Sequence, residues 1–439
     1  MHWLTISDVY VRMETEVANA DKVKVRNRYG DPWIWGIYCT LCLVSVVEAF
    51  SASIQQVGTA GIYGPIGKHI VTMLIGMAAL FVTQFVSFKR RSFTWSIIVF
   101  ALLTLVALVY VMKHGQVING AMRSMSLFGF SVQPAELAKL ATVLLVAFIM
   151  SRYQEPGGVR NIGVVLSAFV VLLFGSLTYK QGFTNTAILM CISLSMMLIG
   201  GVQVKKFLVV LLVYGIAGVG YMAWQDKGGD EPAVANNGRE VVDRSSTREK
   251  RLDRFDWSED ACLEHPLTDK YKQEQYAYMA RAHGGIFGVF PGNSRESSRL
   301  PLAFSDYIYS IIIEEMGLVG GLLVLVLYLA LLARAGRIAQ RCTRAFPALL
   351  VLGMAVMITV QALSHIAINC GMVPVSGQPL PLISAGGSSM VAINIAFGVM
   401  IGVSKNAAQR GDNGRVVLAG SGGDDRSRVL QAENPTQIK

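Results

Sequence analysis

Charge is scarce in this chain. Only 15% of its 439 residues are Asp, Glu, Lys or Arg, where soluble domains carry about 25%. Length alone would allow two or three soluble domains, but so few charges could not give them a polar surface. Metal and disulfide chemistry also have little to build on. There are six His and six Cys, and no His/Asp/Glu cluster has the spacing of a metal site. Cys39-x-x-Cys42 falls inside an apolar run, where a pair of small apolar residues is the ordinary reading rather than a zinc or redox site. Only Cys262 falls in an external loop, so no disulfide framework is implied. The first 30 residues lack the apolar core and cleavage site of a removable signal peptide, which leaves the first apolar run to direct insertion. No internal repeat is evident, which speaks against an inverted-repeat transporter.

What the chain does have is hydrophobic residues, at 53%, gathered into blocks of about 20. At ~1.5 Å per helical residue such a block crosses a ~30 Å hydrocarbon core. Ten spans are expected, near 33–54, 66–88, 93–112, 136–150, 160–178, 184–202, 205–225, 306–333, 345–369 and 386–404. The fold class is therefore an all-α polytopic membrane protein. The net charge of +10 falls mostly on one side. Lys89-Arg90-Arg91, Arg152 and Arg160, Lys205-Lys206, and Arg334, Arg337, Arg341 and Arg344 occupy alternate connections, while the opposite loops hold few basic residues. This asymmetry places both termini in the cytoplasm. The excess is a topology signal and a contact for anionic membrane lipid, not a nucleic-acid footprint.

Five segments follow. Residues 1–32 are a cytoplasmic lead, 33–225 hold spans one to seven, and 226–304 form one large outer loop. Residues 305–404 hold spans eight to ten, and 405–439 are a disordered cytoplasmic tail. The loop carries 12 Lys/Arg and 14 Asp/Glu. Its first half, to about Lys250, is rich in Gly, Asp, Asn and Ser and reads as a flexible insertion; its second half regains aromatic residues and is expected to be ordered.

In a membrane chain the informative residues are the polar ones inside spans. Glu48 lies in span one, Glu136 and Lys139 open span four, and Glu314 and Glu315 lie about 12 Å into span eight. Glu314 and Glu315 point to different sides of their helix, so at least one is expected to be a structural hydrogen-bonding group between helices. Pro and Gly clusters at Gln133-Pro134, Pro291-Gly292-Asn293-Ser294 and Pro379-Leu380-Pro381 all fall on the outer side. Irregular backbone at membrane depth is tolerated only where it is buried in protein or lines an aqueous cavity, so a cavity open to the outer face is expected.

These residues carry a resemblance. Asn119-Gly120-Ala121-Met122-Arg123 running into Phe130-Ser131-Val132-Gln133-Pro134-Ala135-Glu136-Leu137-Ala138-Lys139 is similar to a motif of the SEDS glycosyltransferases, the FtsW/RodA/SpoVE family. Three more resemble it in register: Gly284-Gly285-Ile286-Phe287-Gly288 through Leu300-Pro301 to Asp306-Tyr307-Ile308-Tyr309; Glu314-Glu315-Met316-Gly317; and Pro374 through Gly386-Gly387-Ser388-Ser389. The match covers roughly 33–405. Four family positions differ, with Phe183 for an acid, Leu302 and Phe304 for a Glu and a His, and Ser376 for a lysine found in some members; no role is carried to them. Residues around Ser305-Asp306 and Glu314-Glu315 resemble the division branch, FtsW, more than the elongation branch, RodA.

The resemblance implies an activity: polymerisation of peptidoglycan from lipid II in the bacterial inner membrane, at the division septum. The 4-hydroxyl of the incoming disaccharide would attack C1 of the reducing-end sugar of a glycan carried on undecaprenyl pyrophosphate, with Asp306 as general base. No resident metal is identified; a divalent ion such as magnesium is one way of holding the pyrophosphate charge, cationic side chains another. Implied partners are a class B penicillin-binding transpeptidase and other division proteins. Asp306 has a second reading, since Ser305-Asp306 opens span eight and an acid there caps free N–H groups. Arg123 reads as a phosphate clamp or a snorkelling interfacial arginine. Glu136 and Lys139 read as an i,i+3 ion pair or as organisers of the cavity near the pyrophosphate. Arg251 and Gln273 match substrate-contacting positions more weakly, and Ser388 and Ser389 complete the set of substrate-binding candidates. Two rival functions share these features, a lipid II flippase and a non-catalytic division scaffold.

Overall fold

A computed structural model of the chain describes residues 29–53, 63–86, 91–118, 121–127, 130–155, 158–179, 181–227, 272–300 and 303–417. Arg251, Cys262, the insertion to about Lys250 and the tail from 418 lie outside the described residues.

Helices cover each stretch read as a span. In chain order they are α1 Pro32–Ser53, α2 Tyr63–Thr83, α3 Arg91–His114, α4 Pro134–Arg152, α5 Asn161–Tyr179, α6 Phe183–Ile199 and α7 Val204–Lys227. Within the large loop comes α8 Lys272–Gly284, and after it α9 Ile308–Arg341, α10 Ala345–Asn369 and α11 Gly387–Val417. Among the described residues eight of these are long and apolar enough to cross a membrane; α6 is shorter, at 17 residues. Cys39 and Cys42 sit unpaired in α1, as free cysteines.

Burial divides the bundle. The helices α4, α10 and α11 are the most enclosed, and α2 and α3 face outward along most of their length. The enclosed helices are rich in small residues where they touch, with Ala138, Ala141 and Ala147 on α4 and Ala348, Ala355 and Ala362 on α10, all buried. In lipid the water-driven hydrophobic effect does not hold helices together, so close backbone approach through small residues supplies the packing. One end of the bundle is clamped by charge. Asp31 accepts the backbone N–H of Trp33 at 3.0 Å, which caps α1 ahead of Pro32. The same carboxylate takes three bonds from Arg334 of α9, the shortest at 2.6 Å, and the backbone N–H of Asp31 donates to Ser404 of α11.

The opposite end is irregular. Between α3 and α4 an unexpected three-stranded antiparallel sheet forms from β1 Gln116–Ile118, β2 Ala121–Leu127 and β3 Phe130–Val132. Ile118 stands opposite Ala121; residues 119–120 between the two strands lie outside the described residues. The helix α8 and a short 3-10 turn at Glu296–Ser298 lie in the second half of the large loop, of which residues 251–271 lie outside the described residues. Residues 371–386 fold back among the helices, with Leu380, Leu382 and Ile383 buried.

Candidate active site at the start of the long helix

Asp306 lies in the turn leading into α9 and is half-buried. The helix begins two residues later. Its N-cap is Tyr307, which makes no side-chain cap bond, so the acid stands ahead of the capping position expected for it. The N–H of Ser310 in the first turn is shared between the carbonyl of Tyr307 at 3.0 Å and Asn369 Oδ1 from α10 at 3.2 Å, and the Ser310 hydroxyl donates to that same Asn369 oxygen at 3.0 Å. Asn369 also holds the turn from its other end, Nδ2 donating to the backbone oxygen of Asp306 at 3.1 Å. The Asp306 Oδ1 accepts the Ser305 hydroxyl at 2.9 Å. Across from Oδ2 runs the backbone of Gly377, whose φ of +67° and whose distance, 3.1 Å from that oxygen to where a Cβ would stand, both call for glycine.

Behind Asn369 runs a buried polar network that connects four elements. His365, one helical turn earlier, places Nδ1 2.6 Å from the carbonyl of Gln378. A carbonyl only accepts, so Nδ1 carries the proton and Nε2 is left to accept from Asn369 Nδ2 at 3.1 Å. The Gln378 side chain donates to Asn185 of α6 at 3.0 Å and faces Lys139 Nζ at 3.5 Å. Lys139 donates to Glu136 at 2.7 Å, and the other oxygen of Glu136 accepts from Gln361 of α10 at 3.0 Å. Glu136 and Lys139 are 3% and 1% exposed. They form the expected i,i+3 pair, enclosed in protein rather than lining an open cavity.

The other candidates separate. Arg123, on β2 and half-buried, donates from Nε to the carbonyl of Gln181 at 3.0 Å, so its guanidinium is anchored by one edge. Ser388, at the first turn of α11, accepts the backbone N–H of Gln133 at 3.0 Å and ties α11 to the start of α4; Ser389 beside it is buried. Gln273 is half-buried at the start of α8. The 371–386 segment is pinned by Ser384, which donates to the carbonyl of Ser305 at 2.8 Å, and by Tyr328, whose hydroxyl donates to the carbonyl of Pro381 at 2.6 Å. Ser376 is buried, with no hydrogen bond to its hydroxyl among the described residues.

Glu314 and Glu315 are both structural. Glu314 accepts the Ser294 hydroxyl at 2.5 Å and the backbone N–H of Arg295 at 3.0 Å. Glu315 accepts the hydroxyl of Ser51 on α1 and the N–H of Gly292. Glu48 is fully buried beside Glu315, with neither oxygen hydrogen-bonded among the described residues. Asn369, His365 and Gln361 were not singled out from the sequence. Their spacing of four along one apolar helix is the signal, because it puts three polar side chains on one face.

The match to known proteins fits this geometry. Residues 32–409 match the model of the FtsW/RodA/SpoVE cell cycle proteins. A probable peptidoglycan glycosyltransferase FtsW from Marinomonas mediterranea is 28% identical over 89% of this chain and 92% of its own length. Stage V sporulation protein E of Bacillus subtilis is 30% identical over 75% of this chain and 84% of its own. Among solved structures, a peptidoglycan synthase complex that coordinates polymerization and crosslinking contains a chain with TM-score 0.65 at 22% identity, covering 86% of this chain and 98% of that one. The Rod shape determining protein RodA of Thermus thermophilus superposes with TM-score 0.58, again at 22% identity, over 86% of this chain and 98% of its own. A match running the length of the transmembrane bundle makes this chain a member of the FtsW/RodA/SpoVE family of cell cycle proteins.

Proposed function

We propose that this chain is a peptidoglycan glycosyltransferase, joining lipid II disaccharides into glycan strands at a site on the outer face of the inner membrane. One observation supports the site: a half-buried carboxylate, Asp306, beside a buried polar network, its backbone held by Asn369 and its side chain facing Gly377. The carboxylate takes the proton of the incoming sugar's 4-hydroxyl as that oxygen bonds to C1 of the growing strand's reducing-end sugar, and undecaprenyl pyrophosphate leaves with the electron pair of the broken bond. General-base assistance of this kind contributes about 10²–10⁴-fold. The leaving group is already an anion, so it needs cationic contact rather than a proton, and Arg123 supplies a fork of donors for it. Among the described residues no group of three or more His, Cys, Asp or Glu stands close enough to hold a metal, and no step is assigned to one.

The arginine asymmetry supports cytoplasmic termini, with 226–304 on the outer side. The resemblance to the division branch supports septal synthesis. Likeness to a complex that combines polymerization with crosslinking supports a transpeptidase partner. The test is incubation of the purified chain, with its cognate transpeptidase, with labelled lipid II. Glycan strands released with undecaprenyl pyrophosphate are expected. Lipid II moved between leaflets without any chain formation would replace this reading with transport.

A further inference from the structure

The connection between α8 and α9 has a construction of its own. The helix α9 breaks at Gly317, where φ is 70° and ψ −174°, and the groups freed by the break are bonded by residues 285–290. Val289 and Phe290 donate their N–H groups to the carbonyls of Glu314 and Glu315 at 3.0 and 2.8 Å, while Leu318 and Val319 donate to the carbonyls of Gly285 and Ile286 at 3.0 and 3.3 Å. The loop is thus spliced into the interrupted helix. Gly284, Gly288 and Gly317 leave no room for a Cβ against the backbone across the splice, so the two segments are locked at this height.

That height is inside the apolar layer. The uncharged run of α9 extends from Met316 to Ala333, between Glu315 and Arg334, and at ~1.5 Å per residue it spans about 27 Å, one hydrocarbon thickness. Leu318 and Val319, which accept the splice, lie in the first turn of that run. The loop's own side chains follow suit: Ile286, Phe287 and Phe290 are 62, 78 and 71% exposed. Their surface continues that of Leu318 and Val319, themselves about half exposed. Phe290 holds a φ of +70°, a conformation L residues avoid, and its ring stands outward. Splicing satisfies the backbone, which is the condition lipid imposes on irregular chain at membrane depth.

We infer that residues 285–290 form a wedge inserted among the acyl chains of the outer leaflet, with Ile286, Phe287 and Phe290 as its lipid-contacting tip. The wedge anchors α8 and the turn bearing Asp306 to the membrane surface. The occupant is the outer-leaflet phospholipid itself, because the tip is continuous with the membrane face of α9 and sits below the rim of its apolar run.

The test places p-benzoylphenylalanine at position 287 of the full chain, purified into nanodiscs of a single phospholipid, and identifies photo-adducts by mass spectrometry. The same residue at Leu322, on the membrane face of α9, and at Arg299, on the outer loop, gives the two reference yields. Insertion predicts phospholipid adducts at position 287 at the level of Leu322 and at least ~10-fold above Arg299, as expected for a side chain in the acyl region. A yield at the Arg299 level, or adducts to a second copy of the chain in place of lipid, would overturn the wedge. Position 290 is the second site, read in the same way if the first variant is not monodisperse.

Discussion

Two irregular segments pack against α9, and they are held in different ways. Residues 285–290 pair main chain with main chain at a break in the helix. Residues 371–386 make a main-chain bond to the turn ahead of α9, from Ala385 to the carbonyl of Phe304, and are otherwise held by side chains: Ser384, Tyr328, His365 and, through Gln378, Lys139 and Asn185. A backbone splice has one geometry and tolerates no added atom at its glycines. A side-chain network can be tuned residue by residue, and it is the one that reaches Asp306. The pair shows how irregular chain at membrane depth serves either a fixed scaffold or a reactive site.

The largest effect is expected at the splice. Gly288→Ala and Gly317→Ala each combine a positive φ with a steric clash against backbone, so a loss of about 4 kcal/mol or more is expected. Detergent melting and monodispersity measure it; a wild-type melt would show that the splice is dispensable. Next comes the ion pair. Lys139→Met leaves a buried carboxylate without its cation, at a cost of about 3–5 kcal/mol, whereas adding Glu136→Gln should recover most of it. A melt of the double variant no better than that of Lys139→Met would contradict the pairing.

Asn369→Asp sharpens the comparison inside the network. The aspartate can still accept from Ser310 but cannot donate to the carbonyl of Asp306 or to His365. Misplacement of a reacting group by about 1 Å costs on the order of 10²-fold, so polymerisation should drop about tenfold or more, with KM near wild type. An unchanged rate would confine Asn369 to helix capping. The smallest effect on activity belongs to the far end of the bundle. Arg334→Ala removes the bonds to Asp31 and should lower stability by about 1–3 kcal/mol with polymerisation near normal. A catalytic defect there would mean that the two ends are coupled.

How much of this was legible follows from the range of each interaction. The apolar blocks were, because the length needed to cross a bilayer is a local property of the chain. So was the Glu136–Lys139 pair, since a separation of three on a helix fixes adjacency. The pairing of β1 with β2 was missed, because the stretch from Asn119 was read only as part of a motif. The splice had no local signal: the break at Gly317 is stabilised by residues some thirty positions away in sequence, and nothing within α9 announces them. The expectation that at least one of Glu314 and Glu315 is structural was met, but the partners of the two were out of reach for the same reason. Both hold the 292–296 turn, which packs against α9 only in three dimensions. Asp306 was read as the candidate base from its motif, while the bond from Asn369 to its backbone joins elements far apart in the chain. The Asp31–Arg334 clamp, spanning nearly the whole chain, was likewise out of reach.

The central claim is that Asp306 accepts a proton rather than merely shaping a turn, and Asp306→Asn separates the two. Asparagine keeps the size and the capacity to accept the Ser305 hydroxyl, so a structural role should survive with stability almost unchanged. The measurement is glycan-chain formation from labelled lipid II by the purified variant, alongside its thermal melt. An unchanged melt with polymerisation reduced about a hundredfold or more is expected from loss of the base. Near-normal chain formation by the asparagine variant would contradict the account and leave the site without its catalyst.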